Sequence, residues 1–188
     1  MSLFARRLLR AGGWRLVGQA PALDKYLVVF YPHTSNWDFV LGILSAWGLK
    51  LDITFLGKDT LFSGPLGPLM RRLGGHPVRR EERSNLVSQV AELVRSRERI
   101  VLALAPEGTR KRTEHWKSGF YYIAREAHLP VVPAFLDTAT RTLGLGAPIY
   151  LTGDLKADMA HLRAFYADKR ALRPAQASPV ALREGSLR

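Results

Sequence analysis

Tyr26-Leu27-Val28-Val29-Phe30-Tyr31-Pro32-His33-Thr34-Ser35-Asn36-Trp37-Asp38 runs from a continuous apolar stretch into a polar turn. Its first six residues are β-rich and show no polar alternation. That pattern predicts a strand buried on both faces, as in a parallel sheet. An apolar helical stretch follows from Phe39 to Leu49, and Ile53-Thr54-Phe55-Leu56-Gly57 reads as a second strand. The chain therefore passes from a buried strand through a turn and a helix to another strand.

The same alternation continues downstream. Residues 60–73 mix Leu, Met and Arg with Gly64, Pro65, Gly67 and Pro68, which predicts a broken helix. Leu86, Val87, Val90, Leu93 and Val94 recur at helical spacing, and Ile100 to Ala105 is a third buried strand. A helix over about 118–128, a strand from Val131 to Leu136, a further strand at Ile149 to Thr152 and a helix over about 156–170 complete the pattern. Strands alternating with helices predict an α/β fold: a single domain with a largely parallel central sheet flanked by helices. Residues 1–12 precede it as a short basic amphipathic helix, the domain spans 13–170, and 171–188 is expected to be a poorly ordered tail. In that tail Pro, Ala, Ser and Arg dominate without a period.

Composition narrows the function. The chain has 188 residues, 47% of them hydrophobic, enough for one core. It has no cysteine, which excludes disulfides, a thiolate nucleophile and sulfur-held zinc. Lys plus Arg number 28 against 16 Asp plus Glu, a net charge of +12. Such an excess favours an anionic partner: a membrane, a phosphorylated substrate or nucleic acid. A genome-wide bias toward Arg and Ala is the alternative source of the same excess. No stretch approaches the ~20 apolar residues of a transmembrane helix, and no signal-peptide pattern is present. The expected location is cytoplasmic, peripheral on the cytoplasmic membrane face. In the first helix Phe4, Ala5, Leu8, Leu9 and Ala11 share one side, and Arg6, Arg7 and Arg10 the other. That helix suits a lipid interface or packing on its own domain.

Two segments carry chemistry. His33 and Asp38 sit where ligands bind in open α/β sheets, beyond the carboxyl end of a strand. Five positions apart on one helix they would point ~140° away from each other. They meet only if His33 lies in the turn and Asp38 in the helix's first turn, where a carboxylate can accept the imidazole Nδ1–H and leave Nε2 as a base. Ser35-x-x-Asp38 is equally a capping box. The second segment, Ala105-Pro106-Glu107-Gly108-Thr109-Arg110, also follows a buried strand, with Lys111, Arg112 and Lys117 close behind. Gly108 allows backbone amides to approach a ligand, and Arg110 suits bidentate phosphate contact. An ordinary turn in a solvated basic loop is the other reading. No metal-ligand motif is found.

Together these segments resemble the glycerolipid acyltransferases of the lysophosphatidic acid (1-acylglycerol-3-phosphate) acyltransferase type. His33 to Asp38 is similar to that family's His-x4-Asp block, and Pro106 to Arg110 is a close match to its third block. Leu73 to Arg80 resembles the second, and Leu129-Pro130-Val131-Val132-Pro133 the fourth. Block two often reads Ile-Asp-Arg in the family; here it is Val78-Arg79-Arg80, so either arginine fits. Many members carry long apolar N-terminal segments that embed in the membrane; in this sequence only the short basic helix is expected to serve for attachment.

The resemblance implies direct acyl transfer from an acyl thioester, acyl-CoA or acyl carrier protein, to a lysophospholipid hydroxyl, in phospholipid biosynthesis. It implies no cofactor beyond that co-substrate. His33 would be the general base and Asp38 its partner. Arg80 and Arg110 would hold the acceptor phosphate, with Lys117 or Lys58 near the donor's phosphates and Glu107 orienting Arg110 or the acceptor. Gly108 and Thr109 complete the binding loop, and amides from Ser35 to Trp37 are candidate oxyanion donors. The implied partners are an anionic membrane surface, the acceptor and the donor. The oligomeric state is left open. Two rivals remain: a basic nucleic-acid-binding module, for which no helix-turn-helix, RNP-like or zinc-finger signature is present, and a catalytically dead lipid-binding homologue.

Overall fold

A computed structural model describes residues 1–78 and 83–183. In chain order its elements are α1 (Ser2–Ala11), β1 (Arg15–Val17), β2 (Lys25–Tyr31), α2 (Asn36–Gly48), β3 (Ile53–Lys58), α3 (Thr60–Ser63), α4 (Gly67–Arg72), β4 (Gly75–Val78), α5 (Arg83–Arg95), β5 (Ile100–Leu104), α6 (Gly119–Glu126), β6 (Val131–Asp137), β7 (Thr142–Leu145) and α7 (Leu155–Tyr166). A short 3₁₀ turn, Pro174–Gln176, follows.

The strands form one sheet in the order β1-β7-β6-β2-β5-β3-β4. Every pairing is parallel except β6 with β7. The unbroken apolar run of β2 follows from its central place, between β5 and β6. From β2 the chain winds outward to β3 and β4, returns to β5 beside β2, and crosses to β6 on the other side. The carboxyl ends of β2 and β5 therefore flank the point where the winding reverses, the usual ligand position in such sheets. Val29 is level with Leu104, so the turns beginning at Pro32 and Ala105 leave the same edge side by side.

Residues alternate along β2 between two apolar layers. Leu27, Val29 and Tyr31 pack with α5, α6 and α7 through Val90, Phe120, Leu162 and Tyr166. Tyr26 and Val28 face Ala46 and Leu49 on the α2 side. These tyrosines are core residues rather than a stacking face for bases. The first helix divides its apolar residues: Ala5 and Leu9 are buried, Leu9 beside Leu136 and Leu143, while Leu3, Phe4 and Leu8 stay exposed. Arg6 Nε donates to Gly48 O at 2.8 Å, fixing α1 across the end of α2.

Three strands escape sequence patterning, β1, β4 and β7, all of three or four residues. β4 contains His76 and Pro77; as the edge strand it tolerates a residue that cannot donate. The strand expected at Ile149 to Thr152 is reduced to one bridge, Ile149 with Val131. The larger correction is the tail. From Ala171 through Arg183 it is built into the fold: Ser178 is buried, its carbonyl accepts from Tyr31 Oη at 2.9 Å, and Leu182 bridges Trp116. An extended strap held by backbone hydrogen bonds has no period for composition to display. Residues 184–188 lie outside the described residues, as do Arg79 and Arg80.

Candidate active site

Each side chain of the site is placed by an element end. Asp38 is the third residue of α2, and Ser35 is that helix's N-cap. Asp38 Oδ2 accepts from the backbone N–H of Ser35 at 2.6 Å and from that of Thr34. Ser35 Oγ accepts from Trp37 N at 3.2 Å. The capping box is thus formed, and the same carboxylate faces His33: Nδ1 lies 3.7 Å from Oδ2. The capping and pairing readings of Asp38 are one arrangement. The amides of Ser35 and Trp37 are consumed by the cap, which corrects their expected use as oxyanion donors.

The pair is poised rather than closed. Among the described residues His33 Nδ1 and Asp38 Oδ1 are buried without a hydrogen-bond partner. Catalytic hydrogen bonds often tighten only when substrate binds. Burial, the largest influence, pushes the His33 imidazole below its usual value; Asp38 opposes this and Arg110 adds to it. His33 is therefore the free base at neutral pH. Burial pushes the Asp38 carboxyl up, against the amides of Ser35 and Thr34 and the charges of His33 and Arg173. With Nδ1 turned to Asp38, Nε2 is the nitrogen left for substrate. Phe30 meets the imidazole edge-on, with ring centroids 6.4 Å apart.

Glu107 departs from expectation. It is fully buried, so it cannot be the substrate contact proposed from sequence. Its Oε2 accepts from the backbone N–H of His33 at 2.6 Å and its Oε1 from that of Ser178 at 2.9 Å. It ties the catalytic turn to the C-terminal strap and does not orient Arg110. Gly108 has a φ of +65°, and a Cβ there would come 2.6 Å from Lys117 Cε, so Lys117 lies across the glycine. This loop brings Thr109 and Arg110 to the same sheet edge as His33.

Two cavities meet there. An apolar one of about 600 Å³ runs beneath His33 between the sheet and α2, lined by Phe30, Phe55, Ala103, Gly42, Ala46 and others, with Lys58 also on its wall. A polar one of about 410 Å³ is lined by Thr34 to Trp37, Arg110, Lys111, Arg173 and Gln176. Thr109 and Arg110 border both. The structure thus gathers His33, Asp38, Glu107, Gly108, Thr109, Arg110 and Lys117 around one junction. Sequence reasoning missed Thr34, Arg173, Gln176 and Ser178. Thr34 stood inside the quoted block, whereas the other three lay in a segment without pattern. The side-chain amide of Gln176, in its satisfied orientation, donates to Thr34 O at 2.9 Å and to Arg110 O at 2.8 Å, joining both turns.

Comparison with known proteins bears on the fold and the family. The crystal structure of the 1-acyl-sn-glycerophosphate (LPA) acyltransferase PlsC from Thermotoga maritima superposes with a TM-score of 0.61 at 18% identity. The match covers 87% of this chain and 74% of that one, and it establishes the fold. The family model described as Acyltransferase matches residues 15–137, which span both turns of the junction. By that match over most of its length, the chain belongs to the acyltransferase family.

Proposed function

We propose that this acyltransferase moves a fatty acyl group from a thioester, acyl-CoA or acyl carrier protein, to the hydroxyl of a lysophospholipid such as 1-acylglycerol-3-phosphate, as a step of phospholipid synthesis. The observation that carries this reading is the meeting of an apolar and a cationic cavity at Thr109 and Arg110, with His33 on the wall of the apolar one and Thr34 on that of the other. A lipid with a phosphate head and a long chain needs both environments, with the reacting hydroxyl between them. In the reaction, Nε2 of His33 takes the hydroxyl proton as the oxygen bonds to the thioester carbonyl carbon. Collapse of the adduct breaks the C–S bond, and the imidazolium returns its proton to the departing thiolate. General base catalysis of this kind contributes ~10²–10⁴-fold. Asp38 holds the imidazole tautomer and stabilises its charged form.

Membrane docking belongs to the same reading. Among the described residues no helix is long and apolar enough to cross a bilayer. Exposed Leu3, Phe4 and Leu8 beside Arg7 and Arg10 suit shallow insertion into an anionic surface on the cytoplasmic face. The test of transfer is thiol release from a panel of acyl-CoA donors with lysophosphatidic acid in detergent, for wild type and His33→Ala together. Acceptor-dependent release lost in the variant supports the reading. Wild-type rates in folded His33→Ala sink it. Absence of release with acyl-CoA, acyl carrier protein or other acceptors leaves a lipid-binding homologue.

A further inference from the structure

The polar cavity is finished by residues outside the span that matches the family model. That span ends at residue 137, yet Arg173 and Gln176 line the cavity together with Arg110 and Lys111. The strap is held there without using the Arg173 guanidinium. The backbone N–H of Arg173 donates to Thr34 Oγ1 at 3.2 Å, and Gln176 bridges the carbonyls of Thr34 and Arg110. Among the described residues no carboxylate lines the cavity. Among the described residues none of Arg110, Lys111 and Arg173 forms an ion pair. Three exposed cations on one polar cavity, without an ion pair among the described residues, leave positive charge for a ligand to neutralise.

We propose that Arg173 is a phosphate-binding, specificity-determining residue, supplied by the C-terminal strap to a cavity it shares with Arg110 and Lys111. This rests on the acyl-transfer reading for the ligand's identity, though not for its chemistry. In a 1-acylglycerol-3-phosphate the phosphate lies a short glycerol arm from the reacting hydroxyl. The cavity wall begins at Thr34, the residue after His33, which matches that arm. The donor's phosphates are the other source of the same group. Arg173 also stands close enough for its charge to favour the ionised form of buried Asp38, so an anion bound there would couple to the catalytic pair. The strap makes recognition of the phosphate depend on its being docked.

The test uses the full chain with Arg173→Ala and Arg173→Lys. Isothermal titration with glycerol 3-phosphate and with inorganic phosphate reads the site without any turnover. Arg173→Ala should lower affinity about tenfold or more, with partial recovery in Arg173→Lys. In kinetics, Arg173→Ala should raise the KM for lysophosphatidic acid by a similar factor. With the phosphate-free acceptor monoacylglycerol the variant should lose less of its kcat/KM than it loses with lysophosphatidic acid. If the penalty instead falls on acyl-CoA and spares a short phosphate-free thioester, the cavity holds the donor's phosphate and the site stands. Unchanged anion affinity together with unchanged KM for both substrates overturns the proposal. Wild-type protein that binds phosphate through Arg173 but transfers no acyl group removes the reaction assigned above and keeps the site.

Discussion

The backbone N–H of His33 donates to Glu107 Oε2 at 2.6 Å, across a separation of 74 residues. The turn after β5 thereby fixes the turn after β2, and the other carboxylate oxygen fixes Ser178 in the strap. Glu107→Ala would leave two buried N–H groups without acceptors, at about 1–3 kcal/mol each. The expected outcome in chemical denaturation is a loss of about 2–5 kcal/mol. The accompanying kinetic change should fall on kcat more than on either KM, because Glu107 positions the base and touches no substrate. Glu107→Gln keeps one acceptor and should sit between. Wild-type melting and turnover in Glu107→Ala would remove the tie from the account.

The pH profile has a definite sign. Burial and Arg110 hold the free imidazole of His33 below its usual 6.5, so kcat/KM should fall only as pH drops below that value. Asp38→Asn removes the influence that raises the imidazole and should move this acid limb further down. It should also cut kcat by on the order of 10²–10⁴ through loss of the tautomer lock. Arg110→Ala removes an influence that lowers the imidazole, so its limb should move up. Opposite shifts in the two variants are the signature; shifts of the same sign would exclude His33 as the titrating base.

The junction of His33, Asp38 and Arg110 was legible because each residue follows a long apolar strand or caps a helix, and both features leave a local pattern. The short strands β1, β4 and β7 were not, since three or four residues cannot show a period. Glu107 was located but given the wrong task. A charged residue in a polar loop reads as solvated, and its burial depends on two amides that no local pattern links to it. The strap was missed for the same reason. Ser178 matters through its backbone, whose N–H meets Glu107 and whose carbonyl meets Tyr31. A chain stopped after Leu172 should accordingly melt lower than the full chain and lose most of its turnover. A scanning calorimeter and the thiol-release assay measure the two losses.

Attachment to lipid should depend on the exposed half of α1. Deleting the helix would uncover the core that Ala5 and Leu9 seal, so substitutions are the cleaner probe. Phe4→Ser with Leu8→Ser removes two exposed apolar side chains, each worth about 1.5–3 kcal/mol when fully buried. Flotation with anionic vesicles should drop severalfold or more, with melting unchanged. Undiminished flotation would move lipid contact to another face.

Gly42 offers a direct probe of the apolar cavity. It lines that space from α2, and nothing lies within 4 Å of where its Cβ would stand. A larger side chain therefore enters the cavity without clashing with the core. Helix propensity favours the change too, since an interior glycine costs about 0.5–1 kcal/mol relative to alanine. Gly42→Leu should keep or raise the melting temperature, lower kcat/KM for long-chain acyl donors about tenfold or more, and spare the short ones. Each methylene excluded from an apolar site forfeits about 0.8 kcal/mol of binding, so two lost methylenes suffice for that discrimination. Uniform loss across all chain lengths would mean that the leucine disturbs α2 itself. An unchanged chain-length profile would place the acyl chain outside this cavity.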